Sequence, residues 1–274
     1  MISTNLNPLI QWVGGKRRLV PELLRYMPEN FNMYYEPFVG GGALWLAVQP
    51  QRAVINDLNA ELINLYQTTR DFPRELIDQI NFYIQHNSKE FYLAIRGLDR
   101  EERWQTMDDI TKAARFVYLI TCGFNGLYRV NRKGQVNTPY GRPQQFDCEN
   151  LIAVSQFLNT SQVTFTQNDF TDAVASAKSG DFVYLDPPYQ PVSKTASFTG
   201  YTKQQFDFDD QIRVRDLFFD LQKRGVKVML SNSDTPEIRE LYAEANIHQV
   251  ELQRLISAKA ATRKKVNELV ITNY

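Results

Sequence analysis

The chain holds 274 residues, 43% of them hydrophobic and 23% charged, with 31 Lys and Arg against 31 Asp and Glu; it can bury a sizeable core as one large domain or one domain with an insertion, and its overall charge announces no polyanionic partner. No apolar stretch is long enough to span a bilayer, and the opening Met1-Ile2-Ser3-Thr4-Asn5 lacks the basic and apolar regions of a signal peptide, so a cytoplasmic protein without a membrane partner is expected. The two cysteines, Cys122 and Cys148, lack metal-site spacing and are too few for a disulfide framework, so both are read as reduced and structural, and no metal is expected.

Near the N-terminus, Gln11-Trp12-Val13-Gly14-Gly15-Lys16-Arg17 sets an aromatic ring and a lysine about a flexible glycine pair; a packed tryptophan beside a solvated lysine would read the same way. Tyr34-Tyr35-Glu36-Pro37-Phe38 then runs into Val39-Gly40-Gly41-Gly42 and an apolar stretch over 43–48, the pattern of strand, tight turn and helix. A second strand at 52–55 ends in Asn56-Asp57, and 59–66 resumes a helical pattern, which together open a Rossmann-like βαβ unit. The glycines let backbone pass close to a ligand, and an acid ending the second strand suits a ribose hydroxyl pair; a flexible turn and a helix cap are the plain alternatives. Residues 43–45 are Ala, Leu and Trp, so the run departs from the GxGxxG fingerprint and speaks against a nicotinamide cofactor.

Helical patterns follow at 73–85, 90–96 and 108–119. Residues 121–142 are polar, rich in Gly and Asn, with Arg and Tyr interleaved, and read as a recognition loop or short hairpin. Strand-like runs return at 163–165, 182–185, 225–232 and 268–274. The expectation is an α/β fold: a catalytic domain from 1–58 and 155–274, with a mostly helical insertion at 59–154. Basic clusters stand at Lys16-Arg17-Arg18, at Arg129, Arg132, Lys133 and Arg142, and at Lys259 with Arg263-Lys264-Lys265; each is a phosphate contact or a solvated face. His86 and His248 lack triad or metal-ligand spacing and are read as structural.

The strand at 182–185 ends in Asp186-Pro187-Pro188-Tyr189, since two prolines cannot extend a sheet. An aromatic amine is a poor nucleophile because its lone pair is delocalised into the ring. The Asp186 carboxylate can accept one of its N–H groups and the rigid Pro187 carbonyl the other, drawing the nitrogen toward tetrahedral geometry, while Tyr189 offers a flat face to the base. Asn168-Asp169-Phe170 ends the strand before it, with Asp169 suited to accept from an adenine amino group or to cap a helix.

The motifs Trp12-Val13-Gly14-Gly15-Lys16, Glu36-Pro37-Phe38-Val39-Gly40-Gly41-Gly42, Asn56-Asp57-Leu58-Asn59, Phe124-Asn125-Gly126-Leu127-Tyr128-Arg129, Gly180-Asp181-Phe182-Val183-Tyr184, Asp186-Pro187-Pro188-Tyr189 and Leu230-Ser231-Asn232 resemble, in order and over nearly the full length, those of Dam-type DNA adenine methyltransferases. The resemblance implies a Rossmann-like methyltransferase sheet with an inserted target-recognition domain. It further implies S-adenosylmethionine as donor, and N6 of an adenine flipped out of double-stranded DNA, usually within GATC, as acceptor. It assigns Trp12, Lys16, Phe38, Gly40, Gly42, Asp57, Asp169 and Asp186 to the cofactor, and Asp186, Pro187 and Tyr189 to the chemistry. DNA contact falls to Asn125, Leu127, Arg129, Asn137, Pro139 and Arg142. A bacterial or phage-infected cell, and a monomer or two molecules on a palindromic site, complete the expectation. Neutral overall charge leads us to expect segregation, with Arg129, Arg132, Lys133, Arg142 and Arg263 on one face. The alternatives are a cytosine-N4 methyltransferase, whose family usually has Ser at position 186, an RNA or protein amine methyltransferase, and a non-catalytic DNA-binding module.

Overall fold

The computed structural model describes residues 6–190, 206–253 and 265–274. Lys259, Arg263 and Lys264 lie outside them.

The first half opens with α1 (Val20–Tyr26), β1 (Tyr34–Glu36), α2 (Ala43–Val48), β2 (Arg52–Asn56) and α3 (Ala60–Asp71). Helices α4 (Pro73–Gln85), α5 (Lys89–Gly97), α6 (Asp109–Thr121) and α7 (Cys148–Thr160) come next. The second half runs β3 (Gln162–Thr166), α8 (Phe170–Ala173), β4 (Phe182–Leu185), α9 (Phe208–Lys223), β5 (Lys227–Ser233), α10 (Pro236–Leu241), β6 (Asn246–Gln253) and β7 (Lys265–Thr272). Side-chain caps start many of the helices where the sequence offers them: Asn59 accepts from Glu61 N, Ser88 from Phe91 N, Asp108 from Thr111 N, and Asp207 forms a capping box with Asp210. Asn59 rather than Asp57 caps α3.

The seven strands form one sheet in the order β3-β2-β1-β4-β5-β7-β6. Strands β1 to β5 are mutually parallel where they pair, and β7 runs antiparallel to both β5 and β6. The chain is a Rossmann-like methyltransferase fold: the switch point falls between β1 and β4, with Tyr34 paired to Ala53 on one side and to Phe182 on the other. Both faces are covered, so β4 reads as four consecutive buried residues instead of an alternation. Strand β6 was not expected: its apolar residues Ile247, Val250 and Leu252 keep no strict period of two, and among the described residues it pairs only with β7. The strand expected at 268–274 begins earlier, at Lys265, and ends at Thr272.

The helices of 59–154 continue the hydrophobic layer on one face of the sheet. Tyr66 of α3 stacks on Phe165 of β3 with centroids 5.8 Å apart, and Trp45 packs against both Tyr66 and Phe157 of α7. The expected boundary between 154 and 155, where the recognition segment gives way to the catalytic domain, lies inside α7, which buries Val154 and Ser155 alike. On the other face, Val214, Phe218 and Leu221 of α9 pack with Val183, Val228 and Leu230. Cys122 is buried and Cys148 half-buried, both as free thiols. His86 packs at a tilt against Phe82, and His248 stacks on Tyr26.

Candidate active site

The parallel strands point their C-terminal ends the same way, so the turns after β3, β2, β1 and β4 line up along one edge. Asn56, buried at the end of β2, joins three of them: its amide donates to Pro37 O and Asn168 O, each at 3.0 Å, while its Oδ1 accepts from Thr166 Oγ1 and Asn168 N. Asn56 stood in a quoted motif without a role, because its partners lie 19 and 112 residues away. Next to it, Asp57 accepts from Gly40 N at 3.0 Å and Asn59 N at 2.9 Å. Burial pushes its carboxyl up to about 6 against the pull of those two donors.

The three glycines after β1 have distinct geometries. Gly40 and Gly42 have φ of 48° and 70°. A side chain on Gly40 would meet the Trp12 ring at 2.8 Å, so Trp12 lies directly over this turn. A side chain on Gly42 would run into Trp45 Nε1 and lie 2.8 Å from the Tyr66 hydroxyl, so Gly42 faces the core. Trp12 itself stacks on Tyr128, 5.8 Å away, and leans on Phe116. Phe38 pairs with Phe170, centroids 5.1 Å apart. Asp169 caps α8 through Thr171 N and takes Arg213 Nη2 on both oxygens at 2.9 Å. Burial would raise its carboxyl, but Thr171 and Arg213 outweigh that and hold it below the usual range. Arg213, which also lies over the Phe170 ring, had no signal in the sequence.

Asp186 leaves the end of β4 and pairs with Lys16 Nζ at 2.9 Å, with both side chains largely buried. Burial raises its carboxyl to about 6, Lys16 draws it down, and Glu268 pushes it up. Lys16 also donates to Gly14 O at 2.7 Å and sits 4.2 Å from the centre of the Tyr189 ring. The Tyr189 hydroxyl donates to Glu268 Oε2 at 2.8 Å. Of the two proline carbonyls, that of Pro188 is taken by Gln211 Nε2 at 2.7 Å, and Pro187 is buried. Glu36, at the end of β1, is buried with Tyr34 Oη at 2.5 Å, and burial raises its carboxyl well above the ordinary range. Glu36 stood in a quoted motif without a role, and Glu268 reaches the site only because β7 inserts beside β5.

The expected recognition segment is a small hairpin standing on α5 and α6. Bridges join Gly123 to Tyr140 and Val130 to Val136. Its base is tied down by Arg96 to Thr138 O, Arg100 to Val136 O, and Val136 N to Asp99, and Asp99 is held by Arg115 at 2.9 Å in a buried ion pair. Asn125, Leu127, Arg129, Pro139 and Arg142 are exposed, as are Arg132 and Lys133. Arg129 Nε donates to Asn137 Oδ1 at 2.8 Å. Arg142 and Asn125 line a recess of about 330 Å³ with Phe124, Pro143 and Gln144. This surface and the Gly40 turn are bridged by Trp12, whose ring touches both Tyr128 and that turn. Among the described residues no three His, Cys, Asp or Glu side chains gather as metal ligands, and no helix is long and apolar enough to cross a membrane.

Sheet order and site together define a class, the Rossmann-like methyltransferases. A family model described as D12 class N6 adenine-specific DNA methyltransferase matches residues 12–256. The chain is 47% identical over 273 residues to the Type II methyltransferase M1.LlaDCHI of Lactococcus lactis subsp. cremoris, covering 98% of this chain and 96% of that one. It is 37% identical over 290 residues to the Type II methyltransferase M.MjaIII of Methanocaldococcus jannaschii (98% and 99% covered) and 34% identical over 265 residues to the DNA adenine methylase of Escherichia coli strain K12 (95% and 93%). The chain belongs to the D12 class of N6 adenine-specific DNA methyltransferases. Membership removes the cytosine-N4 and non-catalytic alternatives.

Proposed function

We propose that the enzyme methylates N6 of an adenine flipped out of duplex DNA within GATC, with S-adenosylmethionine as donor. The observation that carries this reading is the grouping of Asp186, Lys16 and Tyr189 at the end of β4, beside the glycine turn of β1.

The donor set suits a nucleoside with an amino-acid tail. Asp57 keeps acceptor capacity for a ribose diol beyond its two backbone donors, Phe38 offers a ring face, and Lys16 is a cation for a carboxylate. Asp169 Oδ1 accepts from Thr171 and Arg213, while Oδ2 accepts from Arg213 alone and so keeps acceptor capacity for an amino group. Trp12, Gly40 and Gly42 shape the turn beneath. The bound cofactor supplies an electrophilic methyl group on a sulfonium. Asp186 accepts one N–H of the adenine amine and Pro187 O the other, and Tyr189 stacks on the base. Lys16 holds the Asp186 carboxylate and the Tyr189 ring until the substrate amine replaces it. With its carboxyl near 6, Asp186 is mainly ionised at neutral pH and can take the proton released after transfer. Residues 59–154 serve as the recognition domain, with Arg129 on guanine and Asn125, Leu127, Asn137, Pro139 and Arg142 around it. The relatives' type II designation supports a role protecting DNA beside a restriction enzyme.

The test is transfer of labelled methyl from S-adenosylmethionine to unmethylated duplexes with GATC or a scrambled site, using wild type and Asp186→Ala, followed by nucleoside analysis. N6-methyladenine in the GATC duplex only, abolished by the substitution, is expected. Methyladenine in both duplexes overturns the sequence specificity, and an active Asp186→Ala overturns the mechanism.

A further inference from the structure

Tyr189 is held at both of its functional ends. Its backbone neighbourhood is pinned to the sheet: Gln211 donates to Pro188 O at 2.7 Å, Gln190 N donates to Asn232 Oδ1 at 3.2 Å, and Ser233 Oγ donates to Gln190 O at 2.7 Å. Those bonds fix the chain before and after the ring but leave the ring free to turn about its χ angles. The bond that acts on the ring itself is from its hydroxyl to Glu268 Oε2, 2.8 Å away. Glu268 stands on β7 opposite Ser233 of β5, a rigid antiparallel register that places a carboxylate within reach of the β4 turn.

We propose that Glu268 is a positioning residue for methyl transfer, acting through Tyr189; the inference rests on the reading that Tyr189 stacks on the target adenine. A phenol donating to a carboxylate makes a charge-assisted bond, about twice as strong as a neutral one, and sets the ring plane. Burial, with Asp186 and Glu268 nearby, keeps the phenol protonated and so a donor. The same carboxylate makes the π-face more attractive to positive charge. Lys16 already exploits this, its Nζ lying 4.2 Å from the ring centre. Once the adenine replaces Lys16, the positive charge grows on N6 during methyl attack over that same face. Glu268 therefore favours the transition state more than the bound ground state, which lowers kcat when removed and leaves binding in place.

The experiment compares the full chain as wild type, Glu268→Gln, Glu268→Ala, Tyr189→Phe and the double variant Tyr189→Phe/Glu268→Ala. Each is measured for kcat and KM of labelled methyl transfer to the GATC duplex, for affinity toward S-adenosylhomocysteine, and for Tm. Glu268→Ala and Tyr189→Phe are each expected to lower kcat roughly ten-fold, the loss of one charge-assisted hydrogen bond, with cofactor affinity unchanged. The double variant is expected to be no slower than either single one, because both break one interaction. Glu268→Gln, which keeps an acceptor without the charge, should fall between Glu268→Ala and wild type. Multiplicative losses in the double variant, an unchanged kcat, or a fall in cofactor affinity parallel to kcat overturns the inference. Where Glu268→Ala does not fold, Tyr189→Phe with and without Glu268→Gln decides by the same rule. A wild type inactive on every duplex overturns the underlying reading instead, so the two failures are told apart.

Discussion

Asp186 shows how one buried carboxyl couples stability to chemistry. Its folded value is about 6 against an ordinary 3.8, so between those pH values the native state binds more protons than the unfolded one. The associated stability is present in full below about pH 4 and is lost as pH rises through 6. Asp186→Asn, which mimics the protonated form, is therefore expected to be more stable than wild type at pH 7 by about 1–3 kcal/mol and equal to it near pH 4; urea melts at the two pH values check this. The same residue predicts an acidic limb near pH 6 in the wild-type rate, since the proposed acceptor is the carboxylate. Arg129 makes a second residue-scale prediction. Its Nε is engaged by Asn137, and in the proposed role its terminal nitrogens read guanine O6 and N7. Arg129→Ala should lose about 1–3 kcal/mol of discrimination at the guanine while keeping cofactor affinity, as read from methylation of duplexes altered at that base pair.

Among the elements, the β1-to-α2 turn and the hairpin on α5 and α6 flank the proposed site, and each has a distinct weak point. Gly42 is left-handed and faces Trp45 and Tyr66, so Gly42→Ala combines backbone strain with overpacking and should cost about 2–4 kcal/mol. Gly40→Ala meets only the Trp12 ring, a side chain that can shift, so its stability loss should be smaller and its cofactor affinity should fall more. Thermal melts with isothermal titration separate the two. Below the hairpin, Arg115→Ala removes one of the two arginines paired with Asp99, leaving Arg100, and takes the donor from Ile95 O and Arg96 O; a loss of about 1–3 kcal/mol is expected. Because Asp99 also accepts from Val136 N, hydrogen exchange at the hairpin should rise in that variant.

For the whole molecule, net charge is zero, yet Arg129, Arg132, Lys133 and Arg142 project from one hairpin. In the proposed role, local rather than global charge governs DNA affinity. Log affinity should fall with log salt, and removing Arg132 and Lys133 together should reduce that slope by about 2. A slope unchanged by the pair would move the phosphate contacts elsewhere.

Much of the fold was legible because its signals are local. The apolar run of β4 followed by Pro-Pro, the glycines after β1, and the period of α4 to α6 each declare an element within a dozen residues. The candidate site was legible as far as it sits on such motifs: Asp186, Tyr189, Gly40 and Asp57 all follow strand ends, and parallel strands bring those ends to one edge. What tertiary structure alone decided are pairings between distant segments. Lys16 reaches Asp186 across 170 positions, Glu268 reaches Tyr189 from β7, Arg213 closes on Asp169, and Asn56 ties three turns together. Those contacts depend on strand order, on the antiparallel insertion of β7 and on burial, and no spacing along the chain encodes them.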